Sequence, residues 1–155
     1  ASFSVVSVSG DSIGKHVSDR FNLVRFIEAQ DPVYARVCSE LRQGRKVSHW
    51  MWFVFPQIEG LGSSGMARKF AISSLEEARA YLDHPVLGPR LRECTRLVCQ
   101  ISETTIQEIF GSPDDMKFRS CMTLFSRADG DDGIFQEALN KFFSGEPDEL
   151  TLSKV

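Results

Sequence analysis

Trp50-Met51-Trp52-Phe53-Val54-Phe55 decides the fold class, because a run of six apolar residues fits a buried strand or a buried helix equally well. Phe and Trp favour a strand by propensity. Against that, no second convincing strand exists in the chain to pair with this one, and a lone strand leaves its backbone groups unpaired. Ser48 can cap a helix beginning at His49. Helix is therefore the reading adopted, and the chain is expected to be mainly α.

Working outward, the punctuation supports the same class. Asp31-Pro32 places a capping acid before a proline and Gly44 follows the last turn, bracketing a helix whose Val33, Val37 and Leu41 share one face with Tyr34 and Cys38 beside them. Leu23, Phe26 and Ile27 form a shorter amphipathic segment before it. Ser74 with Glu77 fits a capping box for a helix ending before Pro85. Leu87, Leu91, Cys94, Val98 and Ile101 repeat at alternating four and three, the seam of a longer helix. Ser112-Pro113-Asp114-Asp115 is a second cap-plus-proline start, with Phe118, Cys121, Met122 and Phe125 on the inner face. A last helix follows Asp131-Asp132, with Phe135, Ala138, Leu139 and Phe142 inside and Gly145 as the stop. The expected architecture is a compact multi-helix domain over residues 21–155, preceded by an arm over residues 1–20.

Composition bounds the function. The chain has 155 residues, 42% hydrophobic and 25% charged, which suits one core and excludes wholesale disorder. Its 18 basic and 21 acidic residues give a net charge of -3, so no global field favours nucleic acid or an anionic membrane. No segment has the roughly 18 consecutive apolar residues of a membrane span. Ala1 to Gly10 lacks a basic n-region and a long enough apolar run for a signal peptide. Cys38, Cys94, Cys99 and Cys121 show no C-x-x-C spacing and read as buried thiols of a reducing, cytoplasmic compartment, with a reactive Cys121 as the alternative. His16, His49 and His84 have no metal-ligand spacing, so neither metal nor cofactor is expected.

Three constellations bear on chemistry. Gly60-Leu61-Gly62-Ser63-Ser64-Gly65 matches G-x-G-x-x-G with Asp83 downstream, but Pro56 and Gln57 precede the glycines and His84-Pro85 follows the acid, so the strand-turn-helix context of a dinucleotide site is missing. What survives is a glycine-rich turn whose amides, with Arg68 and Lys69 nearby, can accept an anion. The densest cluster is Arg42, Arg45, Lys46, His49, Trp50 and Trp52, ending in Pro56-Gln57; cations beside aromatic rings can hold a phosphate while a base stacks. The bland alternative is that the tryptophans are core and the cations a solvated helix end. The third cluster is Asp114, Asp115, Lys117, Arg119, Ser120 and Thr123: Asp115 and Arg119 suit an i,i+4 pair, and Lys117 near Ser120 can activate a nucleophile when desolvated.

Arg45-Lys46-Val47-Ser48-His49-Trp50-Met51-Trp52-Phe53-Val54-Phe55-Pro56-Gln57, Tyr81-Leu82-Asp83-His84-Pro85-Val86-Leu87-Gly88, and the segment from Phe110-Gly111-Ser112-Pro113 through Phe125 resemble the domain-of-unknown-function 1810 family. The resemblance covers roughly Phe21 to Leu152 and implies a compact, largely helical fold with no established activity. Some members carry the label calpastatin, yet calpastatin repeats are disordered and this chain reads as packed helices. The resemblance directs attention to Lys46, Ser48, His49, Trp50, Trp52, Pro56 and Gln57 beside Lys117, Arg119, Ser120 and Thr123. Two functions follow as expectations. One is a cleft for an anionic, nucleotide-like metabolite, with Trp50 or Trp52 stacking, Arg45, Lys46, Ser48, Gln57, Arg119 and Ser120 binding, and His49 or Lys117 available for turnover. The other is a noncatalytic protein-interaction module.

Overall fold

The tryptophan stretch is helical, but for a single turn. Trp50 precedes it, Met51–Val54 form it, and Phe55 leaves it in a non-helical conformation. The computed structural model describes residues 19–129 and 133–155, and among them ten helices follow one another. They are α1 (Val24–Gln30), α2 (Tyr34–Arg42), α3 (Met51–Val54), α4 (Gly65–Lys69), α5 (Leu75–Asp83), α6 (Leu87–Cys99), α7 (Ile106–Phe110), α8 (Asp114–Ala128), α9 (Ile134–Phe143) and α10 (Glu149–Lys154). The β-type pairing among the described residues is an isolated parallel bridge between Ile58 and Ile72. Most of the expected arm, and the Asp131-Asp132 pair, lie outside the described residues.

Several caps differ from expectation for local reasons. Asp31 ends α1, its amide donating to Ile27 O, while its carboxylate takes Arg90 at 2.8 Å; Val33 precedes α2 instead. Ser48 caps nothing, because its hydroxyl is committed to Glu40. Ser74 does cap α5 by accepting the Glu77 amide, but the Glu77 carboxylate turns to Ser73 and to Arg25 at 3.0 Å rather than back to Ser74. The reciprocal capping box belongs to Thr105 and Glu108 at the start of α7.

Helix α8 is the axis of the packing. It lies against α5, α7, α9 and α10, while α6 joins α2, α5 and α9 into the same core. Phe118 stacks on Phe110 at 5.0 Å and meets Phe55 edge-on at 5.1 Å, and Phe55 reaches Trp50. Two turns on, Phe125 contacts Tyr81 and Phe135, and Tyr81 continues to Phe26. Gln30 is buried between these groups, donating to Phe53 O and the Tyr81 hydroxyl and accepting from Arg90. Arg25 uses its whole guanidinium: Phe21 O, Asn22 O, Lys69 O, Ala71 O and Glu77 all accept from it.

The junction of α5 and α6 is the tightest approach. A Cβ built on Gly88 falls 2.1 Å from the carbonyl oxygen of Leu82, a backbone atom that cannot swing aside. Gly88→Ala is therefore expected to lower stability by about 3 kcal/mol, a fall in Tm of roughly 6–12 °C. The control, Gly65→Ala, meets nothing within 4 Å and leaves Tm within about 2 °C in the same thermal denaturation experiment.

Candidate functional site

The basic and aromatic cluster at residues 45–52 is organised by a carboxylate that sequence reasoning passed over. Glu40, near the end of α2, is only 9% exposed. Its Oε1 accepts the amides of Val47 and Ser48 at 2.8 and 3.1 Å and the Trp50 indole N–H at 2.9 Å, while Oε2 accepts the Ser48 hydroxyl at 2.6 Å. Burial alone pushes this carboxyl up; the Ser48 hydroxyl, Val47 amide, Trp50 indole and Ser48 amide outweigh it and hold it at about 2, against an ordinary 4.5. These four donors wrap the loop around one anion, so Ser48 and Trp50 have structural roles. Trp50 is 1% exposed and packs on Phe55, which removes it as a platform for ligand stacking.

Lys46 also turns inward. Its side chain is 8% exposed, its amine sits 3.0 Å from Asp114 Oδ2 and 5.2 Å from the Trp50 ring centre, and its amide donates to Ile109 O. Asp114 shares its other oxygen with Lys117 at 3.7 Å, and the Lys117 amine lies 5.6 Å from the ring centre of Trp52, which is half-buried. The chain thus runs Trp50, Lys46, Asp114, Lys117, Trp52, from the buried Trp50 to the half-buried Lys117 and Trp52. Arg45 and His49 are exposed, and neither side chain engages a partner among the described residues.

Gln57 and Lys117 border two adjoining depressions. One is a narrow crevice of about 20 Å³ that also takes in Trp52, Gly60 and Gly62; the other is an open groove of about 480 Å³ walled by Gly62, Ser63, Ser64, Met116 and Asp148. The Ile58–Ile72 bridge pins the base of the excursion that carries the glycine turn. Gly60 has φ +94°, where a side chain is strained, and an added Cβ there falls 3.0 Å from the Lys154 amine. Lys154 therefore stands beside Gly60. The amides of Gly60, Gly62, Ser63 and Ser64 have no acceptor among the described residues. Neither Lys154 nor Asp148 was singled out from the sequence, since Asp148 reaches the groove and Lys154 reaches Gly60 through the docking of α10 on α8, which no local pattern announces.

The remaining α8 candidates are fastened to the C-terminal segment. Arg119 donates to Glu146 O at 3.0 Å and pairs with the Glu146 carboxylate at 3.6 Å, in place of the expected pairing with Asp115. Ser120 donates to Asp148 Oδ2 at 2.9 Å, so it is held by a carboxylate rather than activated by Lys117. Thr123 accepts the Asp148 amide at 2.8 Å. Cys121 is fully buried and burial drives its thiol up, which disposes of the reactive alternative. Among the described residues no group of three or more His, Cys, Asp or Glu is placed to hold a metal ion.

Glu40 supplies a direct test of this organisation. Its folded-state pKa is depressed, so its contribution is fully present above the ordinary 4.5 and is lost as pH falls toward about 2; it amounts to about 3 kcal/mol. Urea denaturation should find Glu40→Gln destabilised by about 2–4 kcal/mol at pH 7, with the gap to wild type narrowing steadily below pH 4.5.

No helix among the described residues is long and apolar enough to cross a membrane. No curated protein matches the chain. Among solved structures it is similar to the conserved hypothetical protein Rv1873 from Mycobacterium tuberculosis, with 56% identity and a TM-score of 0.86 over 87% of this chain and 96% of that one. The family described as "Protein of unknown function (DUF1810)" matches residues 20–155, nearly the whole length, and the chain belongs to that family.

Proposed function

We propose that the domain binds an anionic, nucleotide-like small molecule in the groove between the glycine turn and the start of α8, in the cytoplasm. The observation that carries this reading is convergence: Gln57 and Lys117 lie in both adjoining depressions with Gly62, and Lys154 stands beside Gly60 in the same turn, several of whose amides have no acceptor among the described residues. Backbone amides and lysine ammonium groups together suit a phosphate. Half-buried Trp52, at the crevice, offers the aromatic edge for a base, and exposed Met116 and Leu150 offer apolar cover at the open end. The groove's own carboxylate, Asp148, already accepts from Ser120 and Thr151, so it is partly compensated. His49 does not line the groove, and the proposal is accordingly one of binding.

Of the earlier candidates, Gln57, Lys117 and Trp52 carry over as ligand groups. Lys46, Ser48, Trp50, Arg119 and Ser120 become the frame that positions them. The test is tryptophan fluorescence and thermal shift against nucleotides, dinucleotides and sugar phosphates. A saturable response is expected, with Lys117→Ala or Lys154→Ala weakening Kd by roughly 10- to 100-fold and the exposed His49→Ala leaving it unchanged. Absence of a response from every compound would sink the reading and favour the protein-interaction alternative, for which the separate apolar groove of about 610 Å³ lined by Phe21, Val24, Ile27 and Pro85 is the starting surface.

A further inference from the structure

His84 occupies the corner where α5 ends and α6 begins, and it fastens both helices. Its amide donates to Tyr81 O at 3.2 Å and closes α5. The first N–H groups of α6 need acceptors of their own, because no turn of helix precedes them. His84 supplies every one: its Nδ1 accepts the amides of Val86 and Leu87 at 3.0 and 3.3 Å, its carbonyl accepts Gly88 at 3.1 Å, and Pro89 has no N–H to satisfy. Val86, the residue just before the helix, makes no side-chain cap. The same corner holds the close approach of Gly88 to Leu82 O.

An imidazole accepts a hydrogen bond at Nδ1 only while that nitrogen is bare, so the neutral ring here carries its proton on Nε2. A second proton has to go to Nδ1, and it turns the one acceptor into a donor facing two donors. We propose that His84 is a proton-operated latch: protonation of its imidazole releases the first turn of α6 from α5, and with it the Pro85 side of the apolar groove of about 610 Å³. Asn, Ser and Asp, the usual residues for capping a helix, keep their charge between about pH 5 and 8, whereas histidine does not. His84 borders neither depression beside the glycine turn, so the latch stands apart from the anion-binding reading.

The charged groups around the ring set the direction of its response. Asp19, Arg20 and Asp83 share the groove with His84, and Arg90 lies in the first turn of α6. Arg20 is held by Glu76 at 2.9 Å and Arg90 by Asp31 at 2.8 Å, while the Asp19 carboxylate accepts the Leu23 and Val24 amides at the start of α1. Burial of the half-buried ring, first, lowers its pKa below the ordinary 6.5; Asp19 works against this and Arg90 adds to it. With the folded-state value depressed, the latch contributes in full above 6.5 and is lost as pH falls through the folded-state value. It is shut at neutral pH and opens on acidification.

The experiment uses the full chain between about pH 7.5 and about pH 4.5 and reads the nitrogen-15 shifts of the imidazole together with hydrogen-exchange protection of the Val86 and Leu87 amides. Loss of one of the three histidine signals in His84→Asn assigns the ring. At the upper end Nδ1 should be bare and Nε2 protonated. As pH falls the ring should take up its proton with a midpoint below 6.5, and protection of the two amides should drop roughly 10-fold with that same midpoint. In His84→Asn the side-chain oxygen replaces Nδ1 as acceptor without titrating, so protection should hold across the range. The proposal is overturned by a proton on Nδ1 at about pH 7.5, by a ring still neutral at about pH 4.5, by protection that ignores the titration, or by an equal loss of protection in His84→Asn.

Discussion

Helix α8 has no dry side and wet side through its middle: Ser120, Cys121, Met122, Thr123, Leu124 and Phe125 are all buried in succession. Six consecutive residues cover more than one and a half turns, so the helix is enclosed all round and every neighbour must be placed to enclose it. Phe118 and Phe125, two turns apart, anchor two aromatic clusters, one reaching Trp50 through Phe55 and the other reaching Phe26 through Tyr81. The polar members of the enclosed run need partners in the same confined space. Thr123 meets the Asp148 amide and Ser120 the Asp148 carboxylate, which is why the C-terminal segment crosses back over α8 instead of following the apolar core.

That constraint explains which parts of the fold were legible. The seam Leu87, Leu91, Cys94, Val98 on α6 is a one-sided pattern and all four are buried, whereas Ile101, the fifth residue of that repeat, falls past the helix end and is half-buried. The inner face read for α8, Phe118, Cys121, Met122 and Phe125, is also buried, yet the reading had no means of seeing that the opposite face is buried too. A helical periodicity records contrast between faces, and Ser120 and Thr123 look like a solvent face when they are in fact hydrogen-bonded inside. The tryptophan stretch was legible as helix, though its single turn reflects the loop tied to Glu40 ahead of it and the Ile58–Ile72 bridge behind.

The cluster of Arg45, Lys46, His49, Trp50 and Trp52 shows why proximity in sequence is a weak guide to a site. Glu40 collects the backbone at Val47 and Ser48 together with the Trp50 indole, and Asp114 collects Lys46. Alternate residues are thereby directed inward, leaving Arg45 and His49 outside and Trp52 at the margin. The polar groups that do converge, Gln57 and Lys117, come from distant segments, and Lys154 comes from a third to stand beside Gly60. Gln57 and Lys117 stood among the sequence candidates; Lys154 was found only through its position against Gly60.

The far wall of the groove is α10, and its attachment differs in kind from the rest of the molecule. Apart from Thr151 its residues are not deeply buried, and the strip before it is held by Arg119, Ser120 and Thr123 through polar contacts. Apolar enclosure is cooperative across a whole core, whereas a hydrogen-bonded strap can release as a unit while the core stays shut. One side of the groove is therefore held by polar contacts and the other by the apolar core. Release of that strap alone would remove the Asp148 and Leu150 wall of the groove while the helices that build the other wall stay folded.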